Sequence, residues 1–514
     1  MKAIYSMRNT IFILAVLPFF LLLNGCADLQ PADYSDIPFT DFPKNEEDIK
    51  SLVLSCYYPL RPNWFNGIHA RNERGVMVIN DATTEVLGND QLWFTKRFIE
   101  MDYHPETTDV TWFYYGNGMY DDGGFANKIS RCTLVMDQIE NSSLREELKE
   151  KYMAEVRCAR AFLSYILYDM YGPLVVAPLE VLKKPLREEP LPRLSREEMV
   201  KFIEDDLFYA AEKLPMPDKT EYGKFSRGLA RMLLIRLYLH EAAADNAYYA
   251  KVETLCRELM KPEYGYQLQS DYVKMFESGG QGLTNKEIIW AIPVTADSPA
   301  GEGNDWHMFV LPTDFNQEGM KGGYGVALST WWFYDRFEEK DVRKTYLLKE
   351  YTNNKGTLIT RTSEKPLLGP IPMKFGYDPG VAGAGKSTID IIIYRYADVY
   401  LSLAEAIAMK EGHATQEAVD LMNTIRTRAK LPAKQLSDFA TLESFIDQIL
   451  TERSHEFWCE NGQYRADLIR HNKLMKRAKE LTNTAYAGKE KELFPLPKIV
   501  IVDGKGKVQQ NSGY

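Results

Sequence analysis

The stretch Ala397–Met422, A-D-V-Y-L-S-L-A-E-A-I-A-M-K-E-G-H-A-T-Q-E-A-V-D-L-M, constrains the fold more than any other part of the chain. Its small alanines recur at helical spacing and let two helices approach closely, with Gly412 between them and Pro432 beyond. A helix pair of this kind cannot bury both faces alone, so the next helix must cover the one left open. The pattern predicts helices over about Ala397–Lys410 and Thr415–Ala429. Three further pairs follow from the same reading. One runs from a capping box at Ser143–Glu146 to Met170 and takes its partner from a second box at Ser195–Glu198, with Met199, Ile203, Leu207, Ala210 and Leu214 on one stripe and Pro215 as the stop. Another spans Ser226–Leu239 and Ala247–Met260. The last is centred on Leu442–Glu456 and continues into Tyr464–Arg477.

The unit at Ala397–Met422 resembles a tetratricopeptide hairpin, but the spacing between pairs is irregular and the insertions are long. The expected fold is therefore mainly α: tetratricopeptide-like helical hairpins in an α-α superhelix, with long irregular loops and a few short strands. Two of the irregular segments, Arg61–Gly124 and Thr295–Gly325, are dense in aromatic residues. Loops of that length are usually functional or disordered, and their aromatic content argues for function.

The first 26 residues set the compartment. Lys2 and Arg8 precede an apolar run, Ile11–Leu23, that is too short to span a bilayer, and Leu23-Asn24-Gly25-Cys26 reads as a lipoprotein processing site. Lipidation at Cys26 would supply several acyl chains at about 0.8 kcal/mol per buried methylene, a firm anchor. Residues 1–25 are thus expected to be a signal peptide, and residues 26–44 an extended, proline-marked tether. Loss of residues 1–25 removes two basic groups and leaves 60 basic against 72 acidic residues, net −12, which argues against a nucleic-acid partner, since that would ask for a basic face. The remaining cysteines, Cys56, Cys132, Cys158, Cys256 and Cys459, are scattered and form no C-x-x-C pattern, so buried, inert thiols are expected. His240-Glu241 and His455-Glu456 lack the second histidine of a zinc helix. No catalytic metal and no cofactor are expected.

Gly380–Thr388, G-V-A-G-A-G-K-S-T, matches the fixed positions of a phosphate-binding loop, with Lys386 and Ser387 in the key places. Its surroundings do not match. Prolines at 370, 372 and 379 precede it, and the β-branched run Ile389–Tyr394 follows where a helix should open. A surface loop explains the string.

Taken in order, several motifs resemble the SusD/RagB family of outer-membrane nutrient-binding lipoproteins. They begin with Asn45-Glu46-Glu47-Asp48-Ile49 followed by Cys56-Tyr57, then Asp169-Met-Tyr-Gly-Pro-Leu-Val, Gly223-Lys-Phe-Ser-Arg-Gly-Leu-Ala, and Phe337 with Asp341 and Arg343. The strongest block is C-terminal: Tyr394-Arg395-Tyr396-Ala397-Asp398, Asn423 with Arg426 and Arg428, Glu452-Arg453 with Glu456-Phe457, Tyr464 with Asp467 and Arg470, Phe494-Pro-Leu-Pro497 and Gln510-Asn511-Ser-Gly513-Tyr514. His455, Asn461 and Ser512 depart from the commoner residues. The resemblance implies an N-terminal helical region over 45–285 and a C-terminal region over 286–514 that carries the variable ligand-face loops. It also implies that Arg395, Asp398, Arg453, Glu456, Asp467 and Arg470 are scaffold ion pairs, since buried charges must be paired.

The resemblance further implies capture of a nutrient, usually a glycan oligosaccharide, without chemistry, and its delivery to a SusC-like TonB-dependent transporter. Sugar rings offer apolar C–H faces to aromatic rings and hydroxyl edges to polar groups. The candidate ligand-binding residues are Asn89, Asp90, Trp93 and Phe94 in the first irregular segment and Trp306 and Tyr324 in the second, with Trp64 and Phe65 as weaker options. Trp112, Tyr114, Tyr115, Trp331 and Trp332 are expected to pack. Two alternatives stay open: a surface glycoside hydrolase, for which Asp90, Glu302 and Asp305 could be nominated, and a peptide-capturing member of the same family.

Overall fold

The computed structural model describes residues 42–64, 67–71, 74–88, 93–116, 124–184, 189–295, 298, 303–378, 387–482 and 486–514. Cys26, the signal and most of the tether lie outside the described residues, as do 379–386, the body of the glycine-rich loop.

The fold is mainly α, and its helices stack in series. Helix Glu46–Tyr57 starts where the Asn45 side chain accepts from the Glu47 and Asp48 amides, and it buries Ile49, Leu52, Val53 and Cys56. It lies on helices Phe125–Glu140 and Glu146–Tyr171, and the 26-residue Glu146–Tyr171 also packs along Arg196–Lys213. Arg227–Ala242 comes next, buried on nearly every side, followed by Tyr248–Leu259. That helix then skips over an insertion to pack against Tyr396–Glu411, whose partners are Gln416–Arg428 and Leu442–Phe457. The expected hairpins are thus present, with Gly412 closing Tyr396–Glu411 in the left-handed conformation at φ 76°.

The Ser195 capping box forms in both directions: Glu198 N donates to Ser195 Oγ at 3.1 Å, and Ser195 N to Glu198 Oε2 at 2.7 Å. The stripe from Met199 to Leu214 is buried as expected. The box expected at Ser143 does not form. The helix starts at Glu146 with Arg145 as an uncapped entry, because the preceding Ser142 donates to Ile139 O and finishes the earlier helix instead. The helix expected over Tyr464–Arg477 is two, Tyr464–Arg470 and Leu474–Thr482, broken where Asn472 takes φ 55°.

The insertion is closed at its neck by two antiparallel strands, Ile288–Ile292 and Ile391–Arg395, with Ile292 opposite Ile391. Three shorter two-stranded pairs lie within it, Asn316–Gln317 with Met320–Lys321, Leu347–Leu348 with Ile371–Pro372, and Glu350–Thr352 with Leu358–Thr360. Ile391–Arg395 is buried along its whole length and runs directly into helix Tyr396–Glu411. The segment after the glycine-rich loop is therefore a strand, and no helix N-terminus follows Ser387 to hold a phosphate.

A lattice of buried charges ties the C-terminal helices together. Arg395 reaches Glu287, Glu456 and Glu460, each at 2.7 Å. Arg453 holds Asp398 at 2.8 Å and Asp467 at 2.6 Å, and Arg470 holds Glu405 at 2.6 Å and Asp467 at 3.0 Å. Arg343 grips Asp341 at 2.7 Å and Glu452 at 2.9 Å, and Arg426 and Arg428 add pairs to Glu452 and Glu456. Burial alone would raise the Glu456 and Asp467 carboxyls, but the guanidinium groups beside them outweigh it. Glu456 and Asp467 are each held down at about 2. Arg236, from the N-terminal half, joins through Asp467 at 3.3 Å and Asp398 at 3.8 Å. His455 stacks on Phe337 at 3.7 Å between centroids. The five downstream cysteines are all buried, and burial pushes the Cys158 thiol up.

Candidate functional site

The two aromatic-rich irregular segments meet in space. Gly88 N donates to Leu328 O at 2.8 Å in an antiparallel bridge, and Thr330 Oγ1 donates to Glu85 O at 2.7 Å. Trp64 of the first segment and Tyr324 of the second also pack edge to face, with centroids 6.3 Å apart and planes at 61°.

Each ring is placed by its own loop. Trp64 follows the 3-10 turn Tyr58–Leu60, in a tight loop closed by Gly67 N on Asn63 O at 3.0 Å and Ile68 N on Pro59 O at 2.8 Å. The Arg61 guanidinium carbon sits 3.3 Å from the Tyr58 ring centre. Tyr324 lies in Gly322-Gly323-Tyr324-Gly325 against helix Trp306–Val310, where Tyr324 N donates to Met308 O at 2.7 Å. A Cβ on Gly323 would come within 2.2 Å of Met308 O, so a side chain there would push the loop away. The close approach leaves the Tyr324 ring 57% exposed.

This corner presents a half-buried indole and an exposed phenol at a steep angle. The Trp64 Nε1 is buried and, among the described residues, has no hydrogen-bond partner. An apolar ring face can stack on one wall while its edge meets the other.

Of the candidates named from sequence, Tyr324 is exposed and paired with an aromatic of the other segment. Trp306 is a correction. It is 0% exposed, its Nε1 donates to Pro372 O at 2.6 Å, and its ring lies 5.7 Å from Phe309. Its polar neighbours are equally engaged: Asn304 Nδ2 donates to Ile389 O at 2.9 Å, and His307 Nε2 bonds Gly376 O at 2.6 Å. Burial lowers the His307 ring to about 4, so it is neutral. Trp306 is a core residue because its short helix turns that face onto strand Ile371–Pro372.

Asn89 and Asp90 lie outside the described residues, as do Phe65 and Glu302. Trp93 and Phe94 open helix Trp93–Ile99, and their side chains are outside the description as well. Trp112 and Tyr114 are buried as expected, but Tyr115 is 37% exposed. Trp331 and Trp332 are half-buried under cations, with Arg361 4.6 Å above the first and Arg336 4.2 Å above the second. Trp64 was the weaker option in the sequence, and its role in the corner rests on a contact across the chain that no local pattern shows.

The sequence model described as the SusD family matches residues 339–514, the stretch that holds most of the charge lattice. That match and the relatives below support assignment of the chain to the SusD/RagB family. It is 25% identical over 478 residues to a SusD-like protein of Bacteroides ovatus, covering 86% of this chain and 79% of that one. It is 22% identical, again over 478 residues, to the starch-binding protein SusD of Bacteroides thetaiotaomicron, covering 80% of each. Among solved structures, the surface glycan-binding protein A of Bacteroides thetaiotaomicron, in complex with laminarihexaose, superposes with a TM-score of 0.71 at 19% identity over 91% of this chain and 99% of that one. That likeness establishes the shared fold. In this chain the Asp-x-Arg signature is the Asp341–Arg343 pair, and the C-terminal arginines serve the scaffold.

Proposed function

We propose that this chain is a surface lipoprotein of the outer membrane that binds a glycan oligosaccharide without cleaving it and passes it to a SusC-like TonB-dependent transporter. The observation that carries the reading is the Trp64–Tyr324 corner, where two irregular segments bring rings together on a rigid helical frame. Aromatic faces suit the C–H faces of sugars. Kinship with a starch-binding protein supports the glycan class.

Binding rather than hydrolysis is supported by the state of the inner carboxylates. A glycosidase needs an acid held protonated near neutrality beside a second carboxylate. Glu405, Glu456 and Asp467 are instead buried, paired with arginine and held ionised, and Asp81, which burial raises to about 7, is sealed in the core where a ligand does not reach it. The anchor in this reading is acylated Cys26, with residues 26–44 as the tether, 45–285 as the N-terminal region and 286–514 as the region that bears the ligand loops. Among the described residues no helix is long and apolar enough to cross a membrane.

Calorimetric titration of the purified protein with plant and host oligosaccharides tests the reading. Saturable heat without release of new reducing ends is the expected result. Reducing ends accumulating over time would replace it with the hydrolase. Co-purification with a large outer-membrane barrel tests the partner.

A further inference from the structure

A cavity of about 370 Å³ opens elsewhere on the body, between the turn Pro217–Ser226, the turn around Tyr264–Tyr266 and the segment Gly282–Ala291. Neither Trp64 nor Tyr324 lines it. Its volume is in the range of small-ligand sites, about 300–1,000 Å³. Four rings form walls: Tyr222, Tyr264, Tyr266 and Trp290. Tyr264 and Tyr266 stack at 6.2 Å with planes 17° apart.

Three of these four rings have their polar atoms committed to the protein. Tyr222 donates to Asp390 Oδ2 at 2.8 Å, Tyr264 to Glu258 Oε1 at 3.2 Å, and Trp290 Nε1 to Gly223 O at 3.1 Å. Their remaining contribution is apolar surface. Tyr266 differs. Its hydroxyl is buried with no hydrogen-bond partner, which costs stability unless something fills the role. The neighbouring Ser226 hydroxyl accepts from Leu229 N at 3.3 Å as a helix cap and makes no hydrogen bond to the phenol. The position of the Tyr266 hydroxyl is also specified, because a Cβ at Gly228 would lie 1.9 Å from it.

The charges lining the cavity balance: Asp218 and Glu221 against Lys224 and Lys286. Lys224 already faces Glu155 at 3.7 Å. An anionic or cationic ligand gains nothing from such a set, whereas a neutral polyol with an apolar face uses both the rings and the balanced polar rim. Leu283, 60% exposed, adds an apolar lip at the mouth.

We infer that this cavity is a second carbohydrate subsite, which takes one neutral mono- or disaccharide unit with the Tyr266 hydroxyl bonded to it. The ligand class rests on the reading of the preceding subsection. The subsite itself rests on the cavity, its rings and the unsatisfied phenol. It would hold a second portion of a long glycan, or a second chain, while the Trp64–Tyr324 corner holds the first.

Hydrogen exchange of the full chain with millimolar maltose, cellobiose or laminaribiose tests the inference. At least one probe should slow exchange in residues 217–226 and 282–291, and should still do so in a Trp64→Ala/Tyr324→Ala variant. Tyr266→Phe, which keeps the ring, should weaken that protection about tenfold. Leu283→Asp, at an exposed position that folding does not depend on, should weaken it as well. Absence of slowing in those segments with every probe overturns the subsite, as does slowing that vanishes with the Trp64→Ala/Tyr324→Ala variant or survives both cavity variants unchanged. The preceding reading fails separately, when no oligosaccharide protects residues 58–64 and 322–326.

Discussion

Trp64 and Tyr324 come from opposite halves of the chain and meet edge to face at 6.3 Å. Neither ring is held by the other alone. One is fixed by the Pro59–Ile68 loop, the other by a glycine-flanked loop on helix Trp306–Val310. Trp64→Ala and Tyr324→Ala should each weaken binding of a recognised oligosaccharide by about 1–3 kcal/mol in titration while leaving the melting temperature nearly unchanged. Full affinity in the double variant would remove the corner from the site.

Gly323→Val is expected to disturb the corner indirectly. The new side chain meets Met308 O and displaces the loop that carries Tyr324. Oligosaccharide affinity should fall while the far-ultraviolet circular dichroism stays that of the parent, since the helices do not depend on this loop. Unchanged affinity would show that the loop tolerates the shift.

Trp306→Ala should behave in the opposite way. Removing a fully buried indole leaves a cavity and strands the Pro372 carbonyl, a loss of about 3–5 kcal/mol read in denaturant unfolding. Were Trp306 a ligand platform, the same change would leave stability intact and abolish binding.

Arg395→Met should be among the most damaging single changes. It leaves Glu287, Glu456 and Glu460 buried around a lost guanidinium, and breaking one side of such a set costs about 3–5 kcal/mol. A large fall in the unfolding midpoint is expected, and a fall no greater than that of an exposed arginine such as Arg361 would contradict the lattice.

Acid should unfold the protein through the same lattice. Glu456 and Asp467 sit at about 2 in the folded state, below their ordinary values of 4.5 and 3.8. Depressed carboxyls contribute stability that is complete above the unfolded values and is lost as pH falls through the folded ones. The melting temperature should therefore hold from neutrality to about pH 5 and drop steeply between about pH 4.5 and 2. A flat profile down to pH 2 would mean that other groups bear the proton load.

The sequence exposed the frame well because its signals are local. Alanine spacing, the Ser195 box and Gly412 each act within a few residues, and each lies where expected. The Ser143 box misled because a neighbouring serine had a better use, closing the previous helix. The scaffold role of Arg395, Arg453 and Arg470 was legible from the order of the motifs. The site was less legible. Trp306 looked exposed because Asn304, Asp305 and His307 are polar, yet Asn304 and His307 are hydrogen-bonded to backbone inside the body. Trp64 gained its place from a partner that the local sequence does not name. The cavity beside Tyr266 joins three separated segments, and periodicity carries no information about such a junction.

The Arg236 contacts have a consequence for how the molecule is made. Arg236 emerges during synthesis long before Asp398 and Asp467, the carboxylates that neutralise it. Until those arrive, the early helices carry an arginine they cannot close around, so the two halves reach their final packing together and not one after the other. A chain severed between them should yield two sticky pieces that recover their shape only when mixed.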